Sequence, residues 1–240
     1  MGPVGRGAAL CAVARVSDTS SMADTPLGID EKALQDLRDL GQEVERLRLV
    51  YQFGIEEMLT KITILRQEFE QIHDYSPIEH VRSRLKSVDS MVAKAQRYGC
   101  GESVEAIRGG VRDIAGIRIT CSFVSDVYWI AQMLQRQPDV ETLQVKDYIS
   151  EPKPNGYRSL HLILAVPVFL SESTEQVPVE LQIRTIAMDF WASMEHKLNY
   201  KYHRALSADL LSELGDAARL ARELDDRMAR LREEIRPEGW

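Results

Sequence analysis

The sequence predicts an α/β protein, in which helices flank a β-sheet and amphipathic helices lie at both ends of the chain. Two patterns indicate this fold. Near both ends, apolar residues recur at alternating spacings of three and four, which is the period of one helix face. The central part contains short segments that alternate apolar and polar residues, as strands do. A chain of 240 residues can form one substantial domain with helical additions.

The first residues differ in composition from the rest of the chain. Residues 1–24 are rich in Gly, Ala and Ser, which is typical of a disordered leader. We expect residues 25–240 to form a single domain that ends in an oligomerisation helix.

Two apolar stripes follow the leader. The first stripe runs from Asp30 to Tyr51, and the second runs from Ile55 to Ile72. Gly54 interrupts the phase between them. The pattern therefore predicts two helices, or one broken helix.

A strand and then a helix are predicted next, and both carry cations. Residues 78–86 alternate basic side chains with others, which predicts a short strand with a basic face. From Lys86 to Gly99 the pattern is helical, and one helix face is expected to present Lys86, Ser90, Lys94 and Arg97. A solvated helix face is the simpler interpretation. Four donors in one row, entered directly from Arg84, favour a site for a polyphosphate.

Four more strands and three more helices are predicted in the rest of the chain. We expect strands at residues 112–123, 140–149, 160–170 and 177–185, and helices at 125–137, 187–202 and from Ser207 onward. In the last strand, Val179 and Leu181 alternate with Glu180 and Gln182. One sheet face is therefore expected in the core, and the other carries polar groups. The last helix has an unbroken apolar stripe that needs a partner, from the same chain or another.

The segment 146–161, with the sequence KDYISEPKPNGYRSLH, is expected to form a stiff loop. Two prolines and an Asn-Gly pair argue against a helix or a central strand. The segment also gathers basic residues around the ring of Tyr157: Lys146, Lys153, Arg158 and His161. Cations bind phosphate and a tyrosine face stacks on a base, so the loop is a candidate nucleotide clamp. A solvated turn is the alternative.

Two carboxylates lie next to the polar face of the predicted sheet, Asp113 at the start of a strand and Glu180 within one. Strand carboxylates are usually surface residues. Neighbours such as Arg118, His161 and Gln182 favour instead a divalent metal held by two oxygens, as Mg²⁺ is at phosphoryl-transfer sites. Glu180 is also a candidate general base for a sugar hydroxyl, if its surroundings raise its pKa.

Several function classes are disfavoured. The sequence has no Walker loop, no G-x-G-x-x-G, no H-E-x-x-H and no G-x-S-x-G. A net charge of −7 argues against a stable nucleic-acid partner. Three widely spaced cysteines suggest neither disulfides nor a thiolate metal site, which fits a cytoplasmic protein. No apolar run approaches membrane-spanning length, so we expect no membrane association.

Three motifs together resemble the RelA/SpoT-type GTP pyrophosphokinases, and more narrowly the single-domain small alarmone synthetases. They are RDIAGIRI at residues 112–119, the loop at 146–161, and VELQIRTIAMDFWASMEHKLNYKY at residues 179–202. The likeness extends over residues 30–235, and the motifs stand in the family's order.

The resemblance implies a nucleotidyltransferase-like, five-stranded mixed sheet flanked by helices. It also implies transfer of the β,γ-pyrophosphate of ATP to the 3′-hydroxyl of GDP or GTP, which makes AMP and ppGpp or pppGpp, the alarmones of the stringent response. Family members of this length are homotetramers, and the apolar stripe of the last helix suits such an interface. Because the chain is short and lacks the His-Asp signature, we expect no hydrolase half like that of the long bifunctional relatives.

Site residues are implied by matching the family's motifs. The resemblance assigns adenine to Arg84 and Arg118, and the ATP phosphates to Lys86, Ser90, Lys94 and Arg97. It assigns Mg²⁺ to Asp113 and Glu180, with Glu180 activating the 3′-hydroxyl. For the acceptor, it implies that Tyr157 stacks on guanine and that GDP or GTP is contacted or positioned by Lys146, Lys153, His161 and Gln182. The row of donors found from helical spacing coincides with the assigned phosphate contacts.

The family has a RelQ-like branch, which its own product activates, and a RelP-like branch. The activated branch uses an aromatic residue and a Thr-Gly pair just before the adenine arginine, and an Asn farther on. This sequence has His80, Arg82, Ser83 and Asp189 at those positions. We therefore expect the RelP-like branch, with weak or no activation by the product.

Other functions are alternatives at this stage. A nucleotidyltransferase that extends RNA is disfavoured because the usual Gly-Ser and paired Asp-x-Asp are absent. A catalytically silent nucleotide-binding scaffold is disfavoured because Asp113 and Glu180 are both present. A third alternative is a toxin-like relative that transfers pyrophosphate to tRNA. An assay with labelled ATP and either GDP or tRNA distinguishes the two activities.

Overall fold

The computed structural model describes residues 31–72, 75–101, 103–201 and 207–235. The leader expected at residues 1–24 lies outside the described residues. Tyr202, the expected last residue of one helix, does so as well.

Six helices and five strands are formed by the described residues. In chain order they are α1 (Glu31–Ile72), β1 (Ile78–Leu85), α2 (Val88–Tyr98), α3 (Val104–Gly110), β2 (Ala115–Cys121), α4 (Val124–Gln135), β3 (Glu141–Asp147), β4 (Leu160–Phe169), β5 (Thr174–Thr185), α5 (Ile186–Lys201) and α6 (Ala208–Ile235).

The five strands form one mixed sheet in the order β1-β2-β5-β4-β3. The central strands β2 and β5 are parallel, and every other neighbouring pair is antiparallel. The five-stranded mixed sheet with flanking helices is therefore confirmed. Its two central strands also carry the longest-range pairing, since β2 and β5 are separated in the chain by α4, β3 and β4.

Helix α1 is continuous, so the break predicted at Gly54 is wrong. Both apolar stripes lie in one helix, and Tyr51, Ile55 and Met58 are at most 1% exposed on either side of the glycine. Gly54 instead marks a close approach to the sheet. A Cβ built on it would lie 2.5 Å from Cγ1 of Val177 in β5. The missing side chain lets the helix pack against the strand.

The sheet has one core face and one polar face, as its alternation predicts. On β5, Val179, Leu181 and Ile183 are fully buried, and α1 packs near Val179. Glu180 and Gln182 alternate with them and are only partly buried. The polar face is thus presented away from α1.

Helix α2 begins later than predicted, at Val88. Ser87 is its N-cap, and the Ser87 hydroxyl accepts a hydrogen bond from the amide of Ser90. Lys86 therefore precedes the helix and does not belong to the helical row that contains Ser90 and Lys94. Its amide instead donates to the carbonyl of Ile114 at 2.8 Å, which extends the contact between β1 and the start of β2.

Helix α3 has no counterpart in the sequence prediction. It has seven residues, and its buried side chains are only Val104 and Ile107. Two apolar positions are too few to define a period. Its start is fixed locally, because the hydroxyl of Ser103 accepts a hydrogen bond from the amide of Ala106 at 3.1 Å.

Helices α5 and α6 pack against each other beside the sheet. Ser207 caps α6 as predicted, since its hydroxyl accepts a hydrogen bond from the amide of Leu210 at 3.4 Å. The apolar stripe of α6 stays largely exposed, with values between 43% and 78% for Leu210, Leu224, Met228, Leu231 and Ile235. None of the helices in the described part of the chain has an apolar stretch of membrane-spanning length.

Candidate active site

The polar face of the sheet brings most of the predicted site residues together. Neighbouring strands align two lateral rows, Arg84–Gly116–Glu180–Ile163 and Arg82–Arg118–Gln182–His161–Lys146. Laterally paired residues point to the same face of a sheet. Side chains that are far apart in the sequence therefore share one surface.

A first cavity, of about 160 Å³, lies over β1, β2 and β5. Its walls include Arg84 and Arg118, the two residues that the resemblance assigns to adenine. Gly116 lies between them in the sheet and forms part of the floor, where it adds no side chain. Two guanidinium groups beside an open floor can hold a planar ring.

A second cavity, of about 210 Å³, lies over β3, β4 and β5. It is lined by three residues predicted to contact the acceptor, Lys146, Lys153 and His161. Glu180 lines both cavities, and Gln182 lines the first. Glu180 is therefore the point at which the two cavities meet.

Glu180 is held by two hydrogen-bonding side chains. Its Oε1 lies 3.4 Å from Nδ1 of His161, and its Oε2 accepts a hydrogen bond from Nε2 of Gln182 at 3.0 Å. Burial acts to raise the pKa of Glu180, but these contacts outweigh burial and the pKa lies below its usual value. The raised pKa on which the general-base interpretation depends is thus not found. In this arrangement Glu180 is an ionised carboxylate that can bind a cation.

Asp113 lies just before β2 and gathers two lysines. Its Oδ2 is 2.8 Å from Nζ of Lys86 and 2.8 Å from Nζ of Lys94. Burial acts to raise the pKa of Asp113, but the two lysines lower it below the usual value. Its Oδ1 is buried and has no hydrogen-bond partner among the described residues. Asp113 is thus ionised, with one oxygen neutralised and the other available.

Tyr157 contacts charged groups through both its ring and its hydroxyl. Nζ of Lys153 lies 4.8 Å from the ring centroid. The hydroxyl lies 2.7 Å from Nε2 of His161 and accepts a hydrogen bond from Nη2 of Arg184 at 2.5 Å. Because His161 also reaches Glu180, a continuous chain of contacts joins Tyr157 to the meeting point of the two cavities.

Asp189 in α5 links two arginines. Its Oδ1 is 3.2 Å from Nη1 of Arg118 and 3.2 Å from Nη1 of Arg184. Burial and the neighbouring Arg184 lower the pKa of Arg118. The negative charge of Asp189 is therefore balanced by two guanidinium groups. Through Arg118 and Arg184, Asp189 connects the first cavity to the hydroxyl of Tyr157.

Six predicted residues line neither cavity: Lys86, Ser90, Lys94, Arg97, Asp113 and Tyr157. Four of them make the contacts described above, and Ser90 and Arg97 do not. Ser90 takes part in the cap of α2, where the hydroxyl of Ser87 donates to its oxygen at 2.8 Å. Arg97 is exposed in the last turn of the same helix. Neither lines the two cavities described above.

Among the cavity-lining residues that the sequence did not assign to substrate, four have long polar or aromatic side chains. Arg82 lines the first cavity, and Tyr98, Gln144 and Tyr148 line the second. Arg82 and Gln144 could have been found from strand alternation, because each lies two residues from a predicted site residue, Arg84 in β1 and Lys146 in β3. Tyr98 gives no such signal, because it is the last residue of α2 and enters the site only through the fold.

Comparison with protein families supports the motif-based resemblance. A profile described as a region found in RelA/SpoT proteins matches residues 83–205. GTP pyrophosphokinase YwaC of Bacillus subtilis is 45% identical over 202 residues, which are 84% of this chain and 96% of that protein. GTP pyrophosphokinase YjbM of the same species is 38% identical, over 80% of this chain and 89% of that protein.

Solved structures agree with these relatives. Small alarmone synthetase 1 of Bacillus subtilis, solved with its product pppGpp, has a TM-score of 0.75 and 38% identity over 82% of this chain and 100% of that one. Small alarmone synthetase 2 of the same species has a TM-score of 0.73 and 46% identity over 80% of this chain and 100% of that one.

Proposed function

Because this chain belongs to the RelA/SpoT family, we infer that it is a GTP pyrophosphokinase of the small alarmone synthetase type. It transfers the β,γ-pyrophosphate of ATP to the 3′-hydroxyl of GDP or GTP. The products are AMP and the alarmone ppGpp or pppGpp. Relatives with this named activity match most of the chain, and the catalytic carboxylates of the motif, Asp113 and Glu180, are both present.

The position of Glu180 between two cavities is the observation that carries the proposal. A transfer reaction requires that donor and acceptor meet at one reacting centre. The cavity on one side has the arginines Arg84 and Arg118, and the cavity on the other side has the lysines Lys146 and Lys153. Two basic sites that share one carboxylate suit two nucleotides that react with each other.

On the donor side, Arg84 and Arg118 hold adenine in our proposal. The ATP phosphates are assigned to Lys86, Ser90, Lys94 and Arg97. The convergence of Lys86 and Lys94 on Asp113 supports this assignment, since it gathers two ammonium groups at one point. These lysines exchange a carboxylate oxygen for phosphate oxygens when ATP binds.

On the acceptor side, the ring of Tyr157 stacks on guanine, and Lys146 and Lys153 contact the phosphates. His161 and Gln182 orient Glu180 toward the 3′-hydroxyl. His161 also controls how basic Glu180 is, because its contact lowers the pKa of that carboxylate. If His161 turns toward an acceptor phosphate, that contact is lost and Glu180 becomes a better proton acceptor.

The residues present fit Mg²⁺. The buried Oδ1 of Asp113 lacks a hydrogen-bond partner, and Glu180 supplies a second ionised carboxylate. Within residues 31–72, 75–101, 103–201 and 207–235, no three His, Cys, Asp or Glu side chains form a metal cluster. Two carboxylates plus substrate phosphates are a usual ligand set for Mg²⁺. When bound, the ion neutralises negative charge on the transferred pyrophosphate.

We also propose that residues 25–240 form one synthetase domain, and that four copies assemble in the cytoplasm. An apolar groove of about 680 Å³ between α5 and α6 supports assembly. Phe190 and Leu220, which line it, are 67% and 65% exposed, and such a surface needs a partner. Cys100 and Cys121 are free thiols, which fits a reducing compartment.

A direct assay tests the proposed function. The purified protein is incubated with labelled ATP, Mg²⁺ and either GDP, GTP or tRNA, and the products are separated by chromatography. We expect equimolar AMP and guanosine 3′-pyrophosphate, no transfer to tRNA, and no reaction with a chelator present. Transfer to tRNA alone would instead assign the toxin-like activity. ATP binding without transfer to any acceptor would assign a silent scaffold.

A further inference from the structure

The acceptor loop, residues 148–159, rests on helix α6, which the proposed reaction does not use. Gly156 has a φ of +87° and approaches the helix closely. A Cβ built on this glycine would lie 2.5 Å from Cβ of Ala218. Tyr157 packs in the small apolar cluster that contains Trp191, Ala218 and Ala221. The helix therefore forms the support beneath the tyrosine.

A buried ion pair fixes the next residue of the loop. Nη1 of Arg158 donates to Oδ2 of Asp225 at 3.3 Å, and the two side chains are 10% and 5% exposed. Asp225 also bonds to the side chain of Thr185, the last residue of β5. One carboxylate thus joins α6, the acceptor loop and the strand that carries Glu180.

Backbone hydrogen bonds extend this support through the loop. The amide of Lys153 donates to the carbonyl of Tyr157 at 3.1 Å, and the amide of Gly156 donates to the carbonyl of Lys153 at 2.8 Å. A shift of Arg158 therefore moves Tyr157 and Lys153 together. Arg84 and Arg118 stand on β1 and β2, on the other side of Glu180, and take part in none of these backbone bonds. Arg118 is linked to the loop through side chains, because Asp189 joins it to Arg184, which bonds to the hydroxyl of Tyr157.

The same contact is one of three that attach α6 to the described part of the protein. Farther along the helix, Nη1 of Arg232 lies 2.9 Å from Oδ1 of the buried Asp126, and nearer its start the carbonyl of Leu214 accepts a hydrogen bond from Nε1 of Trp191. Among the described side chains of α6, only Ala218 and Asp225 are buried, and both meet the acceptor loop. Its larger apolar side chains, such as Leu224 and Met228, are exposed.

We propose that Asp225 is a positioning residue for the acceptor nucleotide, acting through Arg158 to hold Tyr157 and Lys153. The proposal rests on the proposed function, because it concerns how the same site receives GDP or GTP. A buried ion pair contributes little net stability, since desolvation opposes its Coulomb attraction, but it fixes geometry. Burial raises the pKa of Asp225 despite the nearby Arg158, as expected for a carboxylate that is costly to bury.

The test compares Asp225→Asn with Asp216→Asn in the full chain. Asp216 pairs with Arg219 on the exposed side of α6, so its substitution removes an ion pair without touching the loop. We expect Asp225→Asn to raise the KM for GDP by about tenfold to a hundredfold, which is the range expected when an aromatic ring no longer stacks on the base. The KM for ATP stays at the wild-type value. Asp216→Asn changes neither KM, and Asp225→Glu restores most of the affinity for GDP because it keeps the charge.

The split between the two KM values separates positioning from a general structural role. Loss of folded enzyme would lower kcat without selecting one substrate. Equal rises in the KM for ATP and GDP, or an unchanged KM for GDP, would overturn the proposal.

Hydrogen exchange tests the support without relying on activity. We expect the amides of Lys153 and Gly156 to exchange faster in Asp225→Asn than in Asp216→Asn or wild type. Unchanged exchange would show that Asp225 does not hold the loop. A wild-type protein that makes no alarmone would contradict the proposed function, and the exchange rates would still decide the role of Asp225.

Discussion

The two oxygens of Asp113 have different surroundings, and a single substitution tests whether the carboxylate is needed for catalysis. Asp113→Asn keeps the shape of the side chain but removes the charge that faces Lys86 and Lys94. We expect kcat to fall by at least about a hundredfold, since a metal ion at a phosphoryl-transfer site contributes several kcal/mol. Initial rates of AMP release measure this effect, and circular dichroism checks the fold.

Asp139→Asn is the matched control for that substitution. Asp139 also binds a lysine, with Oδ2 2.6 Å from Nζ of Lys61, but it lies between α4 and β3 and belongs to none of the three motifs. This variant is expected to keep wild-type turnover. Wild-type turnover in Asp113→Asn would show that Asp113 is not a ligand.

The ring and the hydroxyl of Tyr157 serve different purposes, and two substitutions separate them. Tyr157→Ala removes the stacking surface, which is worth about 1–3 kcal/mol per base, so the KM for GDP should rise accordingly. From the sequence alone we expect Tyr157→Phe to be mild. The structure sharpens this expectation, because the hydroxyl binds Arg184 and His161.

Tyr157→Phe is therefore expected to keep the KM for GDP and to lower kcat by about tenfold, the value of a hydrogen bond to a charged group. Steady-state kinetics with GDP varied at saturating ATP distinguishes the two variants. The same rise in KM for both would mean that the ring does not stack on guanine.

Sequence patterns located most of these residues but not their partners. Alternation places Glu180, Gln182 and Arg184 on one side of β5, and the structure agrees. The bond from Arg184 to Tyr157 could not be predicted, because it depends on how a loop folds back over the sheet. The position of Tyr98 in the second cavity and the contacts of Asp189 with two arginines could not be predicted either, because both depend on the tertiary fold.

At the scale of elements, the contact between α1 and β5 explains why the long helix carries a glycine. Gly54→Ala would place a Cβ 2.5 Å from Val177. We expect it to lower the free energy of unfolding by about 1–3 kcal/mol, as overpacking of a core does. Urea denaturation followed by circular dichroism measures the change.

Gly215→Ala in α6 is the control, since a Cβ there meets nothing within 4 Å. It should be neutral or stabilise the protein by up to about 1 kcal/mol, because alanine favours a helix. If both variants proved equally stable, α1 would not pack against β5 as closely as described.

The predicted elements match the structure best where periodicity is long. The five strands and the long terminal helices were all indicated by their patterns. The missed features are local. Helix α2 begins at Val88 and not at Lys86, because Ser87 forms its N-cap. Helix α3 is too short to show a helical period in the sequence. In the sequence, Gly54 suggests a break in the helix. In the structure it lies in a continuous helix, where it allows close packing against Val177.

At the scale of the whole molecule, the exposed stripe of α6 predicts assembly. Light scattering of the intact protein at micromolar concentration should give a homotetramer. Leu224→Glu places a charge in the groove between α5 and α6 and should yield a smaller species. A monomeric wild-type protein would contradict the assembly. Truncation after Ser207 is a poorer test, because it also removes Asp225 from the acceptor loop.

Regulation by the product is the second whole-molecule property that can be tested. Ser83 has a side chain at the position where close backbone approach to an effector needs glycine. Asp189 is held by two arginines, and Arg82 lines the first cavity. We expect added pppGpp to change the initial rate by less than about fivefold, the lower end of typical allosteric coupling. A larger rise that disappears in Arg82→Ala would place the protein in the activated branch.

The parallel pairing of β2 with β5 determines when the two carboxylates of the site can come together during synthesis. Asp113 precedes β2, whereas Glu180 belongs to the strand that is made last. Ribosomes deliver the N-terminal elements first, and pairings between distant segments form late. A chain that ends before β5 contains Asp113 but not Glu180. The site with both carboxylates can therefore form only after β5 has been made and has joined the sheet.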